Sequence, residues 1–98
     1  MTITKTQNGT ELTFALAGRL DTVTSPELEQ AVKTSLDGVT ALIFDMKGLE
    51  YVSSAGLRVL LAAQKAMNKQ GSMKLMNVSE TIMEIFEVTG FSDILTIE

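Results

Sequence analysis

The chain has 98 residues, enough for one domain with a single core, and is 45% hydrophobic and 20% charged. It contains no cysteine and no histidine. It therefore lacks disulfides, thiolate nucleophiles, imidazole bases, and the sulfur and imidazole ligands of metal sites. The 8 basic and 12 acidic residues give a net charge of −4, and no lysine or arginine occurs from Ser79 to Glu98. This distribution excludes the clustered basic surface with which proteins bind nucleic acid.

The sequence also argues against a membrane segment and against catalysis. No apolar run approaches the roughly 20 residues that span a bilayer, and the first ten residues lack the apolar segment of a signal peptide. We therefore expect a cytoplasmic protein without direct membrane insertion. Without histidine a serine nucleophile lacks its usual base, and no phosphate-binding loop of the Gly-x-x-x-x-Gly-Lys-Ser/Thr type is present. We expect no enzymatic activity, no metal site and no cofactor.

The first predicted element is a β-hairpin. Residues Thr2 to Thr6 are rich in β-branched side chains, and Asn8-Gly9 is typical of a tight hairpin turn. From Glu11 to Leu16 apolar side chains alternate with others, which indicates a strand with one buried face. Gly18 ends this strand, and a loop leads from Arg19 to the first helix.

The first helix has two possible starts. Either Ser25 is the N-cap and Pro26 the first helical residue, or Thr24 is the N-cap and forms a capping box with Glu27. The two interpretations differ by one residue, and the sequence leaves both open. Asp37-Gly38 is the predicted end of this helix.

The remaining predicted elements alternate between strands and helices. In chain order they are a buried strand (Ala41–Phe44), a loop, a helix (Ser53 to Gln70-Gly71-Ser72), a strand (Met73–Val78), a helix (Ser79 to Thr89-Gly90) and a strand (Ile94–Ile97). This order predicts an α/β fold in a single domain, residues 1–98. Its mixed sheet should have four to five strands, with about three helices packed on it.

One segment stands apart from ordinary core composition. From Asp45 to Leu57 the chain passes from a buried strand through a loop into a helix that begins with Ser53-Ser54. A helix start carries unpaired N–H groups and partial positive charge, so a phosphate built on a serine there would find donors. Gly56 leaves the backbone of this first turn open to close approach. The alternative is that the serines only cap the helix.

The same segment resembles the signature of the STAS domain family of anti-sigma factor antagonists. In that signature an acidic strand end and a short loop with an aromatic residue precede a small polar residue, the acceptor serine, a small residue, glycine and leucine. Gly18-Arg19-Leu20-Asp21 is similar to the family's Gly-x-Leu-Asp loop, and Val88-Thr89-Gly90-Phe91 to its late turn. The chain length and the element order also match, so the resemblance implies a STAS-like fold.

The resemblance implies a phosphorylation switch. In the family, an anti-sigma factor with serine kinase activity phosphorylates the acceptor, which corresponds by position to Ser54. The unphosphorylated protein binds the anti-sigma factor and releases sigma factor. The phosphorylated form cannot bind, and a serine phosphatase removes the phosphate and so restores binding. The residues expected to contact the partner lie around the acceptor: Asp21, Thr22, Thr24, Ser53, Ala55, Gly56 and Arg58. Asp45 is expected to border the site from the neighbouring strand end.

The chain departs from the family at one position. Many members have aspartate immediately before the acceptor, whereas this chain has Ser53. Ser53 is therefore a second, less favoured acceptor. The alternative function is that of a STAS accessory subunit in a membrane transport or lipid-trafficking complex. A third possibility is a dimeric scaffold that is not phosphorylated.

Overall fold

The computed structural model describes residues 1–98 and contains four strands, three α-helices and one short 3-10 helix. Their bounds in chain order are β1 (Thr2–Asn8), β2 (Glu11–Leu20), α1 (Ser25–Lys33), β3 (Ala41–Val52), α2 (Ser54–Met67), β4 (Ser72–Met76), α3 (Glu80–Thr89) and the 3-10 helix (Phe91–Asp93). The sheet order is β1-β2-β3-β4, with β1 antiparallel to β2 and the other pairs parallel. The predicted mixed α/β fold is confirmed, with four strands in the sheet. No helix is both long enough and apolar enough to cross a bilayer.

The helices cover one face of this sheet. Alternate residues of the two central strands point toward them, and Phe14 of β2 and Phe44 of β3 stack with ring centroids 5.8 Å apart. A single cluster of 22 buried residues joins these side chains to residues of all three helices, among them Leu28, Leu60 and Phe86. The three helices and the sheet therefore share one core, as expected of a two-layer α/β domain.

Two of the predicted helix starts are confirmed in detail. The Ser53 side chain accepts a hydrogen bond from the Gly56 N–H at 3.4 Å, and the Ser79 side chain accepts one from the Ile82 N–H at 3.2 Å. These bonds satisfy donors that the first helical turn leaves unpaired. Gly90 ends α3 with φ 81°, a left-handed conformation that favours glycine.

The start of α1 agrees with the second predicted pattern in its N-cap residue but lacks the capping box. Ser25 is the first helical residue and Thr24 occupies the N-cap position, so Pro26 is second rather than first. Thr24 makes no side-chain cap bond. Its hydroxyl instead donates to the Arg19 carbonyl oxygen at 2.7 Å and accepts from the Asp21 N–H at 2.9 Å. The Thr24 hydroxyl, which could otherwise cap α1, is thus used in hydrogen bonds within the preceding loop.

The largest correction concerns β3, which extends to Val52 and replaces the predicted loop. Its register with β2 shifts between Asp45 and Gly48 and again between Leu49 and Tyr51, where β3 has one residue more than β2. Such β-bulges interrupt the two-residue alternation of a strand. The inward-facing residues beyond the first bulge are consequently three apart: Met46, Leu49 and Val52.

Several other predicted bounds are wrong. Strand β2 does not end at Gly18 but continues to Leu20, and β4 ends at Met76 rather than Val78. Helix α1 ends at Lys33, well before Asp37-Gly38, and the turn that follows carries Gly38 with φ 76°. The predicted strand Ile94–Ile97 reduces to one bridge between Leu75 and Ile97. Two hydrogen bonds form this bridge: the Leu75 N–H donates to the Thr96 carbonyl oxygen at 2.8 Å, and the Glu98 N–H donates to the Leu75 carbonyl oxygen at 2.9 Å.

Candidate functional site

The carboxyl ends of β2 and β3 lie side by side, and α2 begins at this edge of the sheet. Leu20 is the register partner of Val52, and its carbonyl oxygen accepts the Ser53 N–H at 2.8 Å. The fully buried Leu20 side chain packs against Gly56, where an added Cβ would lie 2.7 Å from Leu20 Cγ. Because residue 56 has no side chain, the first turn of α2 can rest on the end of β2. In open α/β sheets this edge is the usual place for a functional site.

The two serines at the start of α2 have different surroundings. Ser53 is partly buried, and its hydroxyl oxygen is used as the N-cap acceptor for the Gly56 N–H. Ser54 is the first helical residue and is exposed, and its hydroxyl makes no hydrogen bond within the chain. Ser54 is therefore the hydroxyl that a second protein can reach without disturbing the helix start.

Asp21 organises the loop between β2 and α1. Its Oδ1 atom accepts the N–H groups of Val23 and Thr24, each at 3.0 Å. Its Oδ2 atom lies 3.8 Å from Nε of Arg19. These contacts, together with the Thr24 hydroxyl bonds, give the loop a defined shape next to the start of α2.

The same hydrogen bonds lower the pKa of Asp21 below the ordinary value of 3.8. The largest cause is the Thr24 N–H, and the Thr24 hydroxyl, the Val23 N–H and the positive charge of Arg19 act in the same direction. Partial burial opposes the shift but does not outweigh it. Asp21 is therefore ionised at neutral pH, as its role as an acceptor of N–H groups requires.

A groove of about 200 Å³ separates the first turns of α1 and α2. Its lining residues come from the loop and from both helices: Thr22, Ser25, Pro26, Glu29, Ala55, Arg58 and Val59. Three of the predicted partner-binding residues, Thr22, Ala55 and Arg58, thus meet in one groove next to Ser54. Gly56 is buried beneath this surface, so its role is to pack against Leu20 rather than to contact a partner.

One contact and one exposed side chain at this edge were missed from the sequence. The Arg19 guanidinium carbon lies 4.5 Å from the centroid of the Tyr51 ring, within the range of a cation–π interaction. Arg19 and Tyr51 are register partners, which requires β3 to continue through the predicted loop. Val23 is 85% exposed and adds an apolar side chain to the same loop. In the sequence, the only sign of this exposed side chain is that Val23 is an apolar residue among polar loop residues.

Asp45 does not join the site, and this expectation is wrong. The residue pairs with Ala15 in the middle of β3, several residues before the strand ends at Val52. At about 3.3 Å per residue of strand, Asp45 lies roughly 20 Å from the end of β3. The Asn77 side chain donates to the Asp45 carboxylate at 2.9 Å and the Lys47 N–H donates at 3.1 Å, which lowers the Asp45 pKa. Its carboxylate is therefore bonded to its own strand and to the residue just after β4, away from the start of α2.

The chain is similar to known anti-sigma factor antagonists. Residues 2–98 match the family model of the STAS domain. An anti-sigma-B factor antagonist of Bacillus subtilis (strain 168) is 33% identical over 92 residues, which are 93% of this chain and 84% of the relative. The crystal structure of an anti-sigma factor antagonist from Mycobacterium paratuberculosis has a TM-score of 0.87 at 24% identity, covering 98% of this chain and 83% of the other.

A third similar protein has been solved in two states. The unphosphorylated form of the anti-sigma factor antagonist SpoIIAA has a TM-score of 0.78 at 18% identity, covering 99% of this chain and 87% of the other. The phosphorylated form of the Bacillus protein has a TM-score of 0.77 at 19% identity, covering 99% and 91%. At these identities the likeness is one of fold.

We expect Gly56→Ala to destabilise the protein. Alanine favours a helix by about 1 kcal/mol, but overpacking against Leu20 costs about 1–3 kcal/mol. The side chain would also approach the Leu20 backbone oxygen to 3.0 Å, which limits relaxation. The cost should therefore lie in the upper half of that range, at about 2–3 kcal/mol, which gives a predicted net loss of about 1–2 kcal/mol in the free energy of unfolding, measured by urea titration. Ser54→Ala, at an exposed position two residues earlier, is the control and should change stability by less than about 0.5 kcal/mol. Equal stabilities would contradict the Leu20 contact.

We expect Asp21 to contribute to the pH dependence of stability. Its pKa is lower in the folded protein than in the unfolded chain, so the stabilisation is complete above 3.8 and is lost as the pH falls below that value. As the pH is lowered, the free energy of unfolding of Asp21→Asn should therefore decrease less than that of the unsubstituted protein. Urea titration at several pH values measures this difference. Asp93→Asn, at an exposed carboxylate that accepts no hydrogen bond, is the matched control. The same pH profile in both variants would refute this role of Asp21.

Proposed function

The chain belongs to the STAS domain family, and on this premise we propose that it is an anti-sigma factor antagonist switched by phosphorylation of Ser54. In the unphosphorylated state it binds an anti-sigma factor with serine kinase activity and so releases sigma factor in the cytoplasm. Phosphorylation ends this binding, and a serine phosphatase restores it. The observation that carries the proposal is the exposed, unbonded hydroxyl of Ser54 at the start of α2. The curated relative with 33% identity, an anti-sigma-B factor antagonist, supports the assignment.

The local contacts favour Ser54 over Ser53 as the acceptor. A kinase must place the hydroxyl in line with a nucleoside triphosphate, which requires an accessible side chain. Ser53 is partly buried and its oxygen is already the N-cap acceptor, so a kinase could reach it only by drawing it out of the cap, and loss of an N-cap costs roughly 1 kcal/mol. Phosphorylation of Ser54 breaks no hydrogen bond of the chain. The dianion would also lie at the positive end of the helix dipole, which favours it by about 0.3–1 kcal/mol.

A phosphate on Ser54 should affect the partner interface more than the fold. It adds roughly −1.5 to −2 charges at neutral pH, whereas the whole chain has a net charge of −4. The surrounding surface includes the exposed apolar side chain of Val23 and the half-buried ring of Tyr51. A charge forced into a contact that covers such side chains loses its hydration, which costs several kcal/mol when no partner charge compensates.

We assign direct partner contact to the exposed members of the predicted set. Thr22 and Arg58 are exposed, and Ala55 lies between them in the groove. The other predicted residues support this surface from below or within the loop: Asp21, Thr24, Ser53 and Gly56. Their hydrogen bonds and close packing set the positions of the contacting residues, so we expect their substitution to affect binding indirectly.

Phosphorylation of the purified protein tests the proposal. We expect incubation with the cognate anti-sigma factor kinase and ATP to add one phosphate, which mass spectrometry locates on Ser54. Ser54→Ala should abolish incorporation, because no other exposed hydroxyl starts this helix. Ser53→Ala removes the N-cap but should leave Ser54 as the acceptor.

Three outcomes would contradict this proposal. They are phosphate on Ser53 in the unsubstituted protein, incorporation that survives Ser54→Ala, and no incorporation at all. In the last case, co-purification with a transport ATPase would favour the accessory-subunit alternative.

A further inference from the structure

Arg58 is a cation without a partner beside the proposed acceptor. The ion pairs of the chain join Arg19 with Asp21, Lys33 with Glu29, and Lys74 with Glu98. Arg58 belongs to none of them, and its exposed side chain makes no hydrogen bond within the chain. A guanidinium with five donors is well suited to bidentate binding of an oxyanion such as phosphate. In the unmodified protein these donors are free.

Helix geometry brings Arg58 to Ser54. The two residues are four apart in α2, so their Cβ atoms lie about 5–6 Å from each other on one face. Side chains in helices lean toward the N-terminus, and that of Arg58 therefore extends over the turn that begins with Ser54. An anion placed N-terminal to a cation at this spacing is also the favourable order, because each then lies toward its preferred end of the helix dipole.

The groove between α1 and α2 contains a second unused donor. Ser25, which lines it together with Arg58, is 4% exposed, and its hydroxyl has no hydrogen-bond partner. Buried hydroxyls without a partner are uncommon in native proteins. The one carboxylate lining this groove, Glu29, has its Oε1 atom 3.6 Å from Nζ of Lys33. In the unmodified protein, the donors of Arg58 and of the buried Ser25 hydroxyl are thus unused within this groove.

We propose that phosphate on Ser54 is captured by Arg58, and that this capture withdraws Arg58 from the partner-binding surface. The inference rests on the proposed function, since it requires phosphorylation of Ser54. In the unphosphorylated protein, Arg58 is free to bind an acidic group of the anti-sigma factor. After phosphorylation the guanidinium is neutralised within the chain. The switch then acts twice, because it adds a negative charge to the interface and removes the positive charge next to it.

Titration of the phosphoserine by phosphorus NMR tests the capture directly. Pairing with Arg58 favours the dianion, so the second pKa of the phosphate should be about 0.2–0.4 pH unit lower in the unsubstituted protein than in Arg58→Gln. Arg58→Lys should keep part of this difference. Lys65→Gln, which removes the same charge from an exposed position near the other end of α2, is the matched control and should leave the phosphate pKa unchanged. The nearby charges of Arg19, Asp21, Glu29 and Lys33 are present in every variant and cancel in the comparison.

Binding of the unphosphorylated variants tests the second half of the inference. Arg58→Gln should weaken binding to the anti-sigma factor several-fold, whereas Lys65→Gln should not. Equal phosphate pKa values in the unsubstituted protein and Arg58→Gln would overturn the capture, even with Ser54 phosphorylated and the switch intact. Unweakened binding by Arg58→Gln would overturn the withdrawal of a partner contact. Absence of phosphate on Ser54 would instead refute the proposed function itself.

Discussion

The contact between Leu20 and the first turn of α2 is the constraint on which the candidate site depends. The Leu20 side chain is fully buried against Gly56, and its carbonyl oxygen binds the Ser53 N–H at 2.8 Å. These two interactions fix where α2 begins relative to the end of β2. Asp21 follows Leu20 directly, so the loop before α1 starts from the same anchor. A glycine at position 56 therefore determines the shape of a surface that it does not itself reach.

This anchor separates a serine that caps the helix from the serine that we propose as the acceptor. Ser53 caps α2 and Ser54 faces solvent, although the two residues are adjacent and chemically identical. A switch of this kind needs a hydroxyl whose modification leaves the fold intact, and the helix start provides one because its free N–H groups tolerate an anion. Arg58 lies about one helical turn after Ser54 in the same helix. The same helix presents both the proposed acceptor and the cation that the phosphate would neutralise.

Much of the fold could be predicted from the sequence, because local signals and the final structure agree. Asn8-Gly9 does join an antiparallel hairpin, and Ser79 does cap α3. The extent of β3 could not be predicted, since its bulges put buried residues three apart and so remove the two-residue alternation by which a strand is recognised in a sequence. The misplaced Asp45 and the missed Arg19–Tyr51 contact both follow from that one error. The closeness of the serines to Arg58 could be predicted, because these residues are near in sequence. The groove could not, because it forms only where α1 packs beside α2.

The most direct test of the phosphorylation switch is the affinity of the anti-sigma factor for this protein before and after stoichiometric phosphorylation of Ser54, measured by calorimetric titration. Loss of hydration and like-charge contact should weaken binding by about a hundredfold or more. The circular dichroism spectrum should remain unchanged, because Ser54 makes no hydrogen bond that the fold needs. Treatment with a serine phosphatase should restore the original affinity. Equal affinity of the two forms, or weakened binding that accompanies loss of helical structure, would contradict a switch that acts at the interface alone.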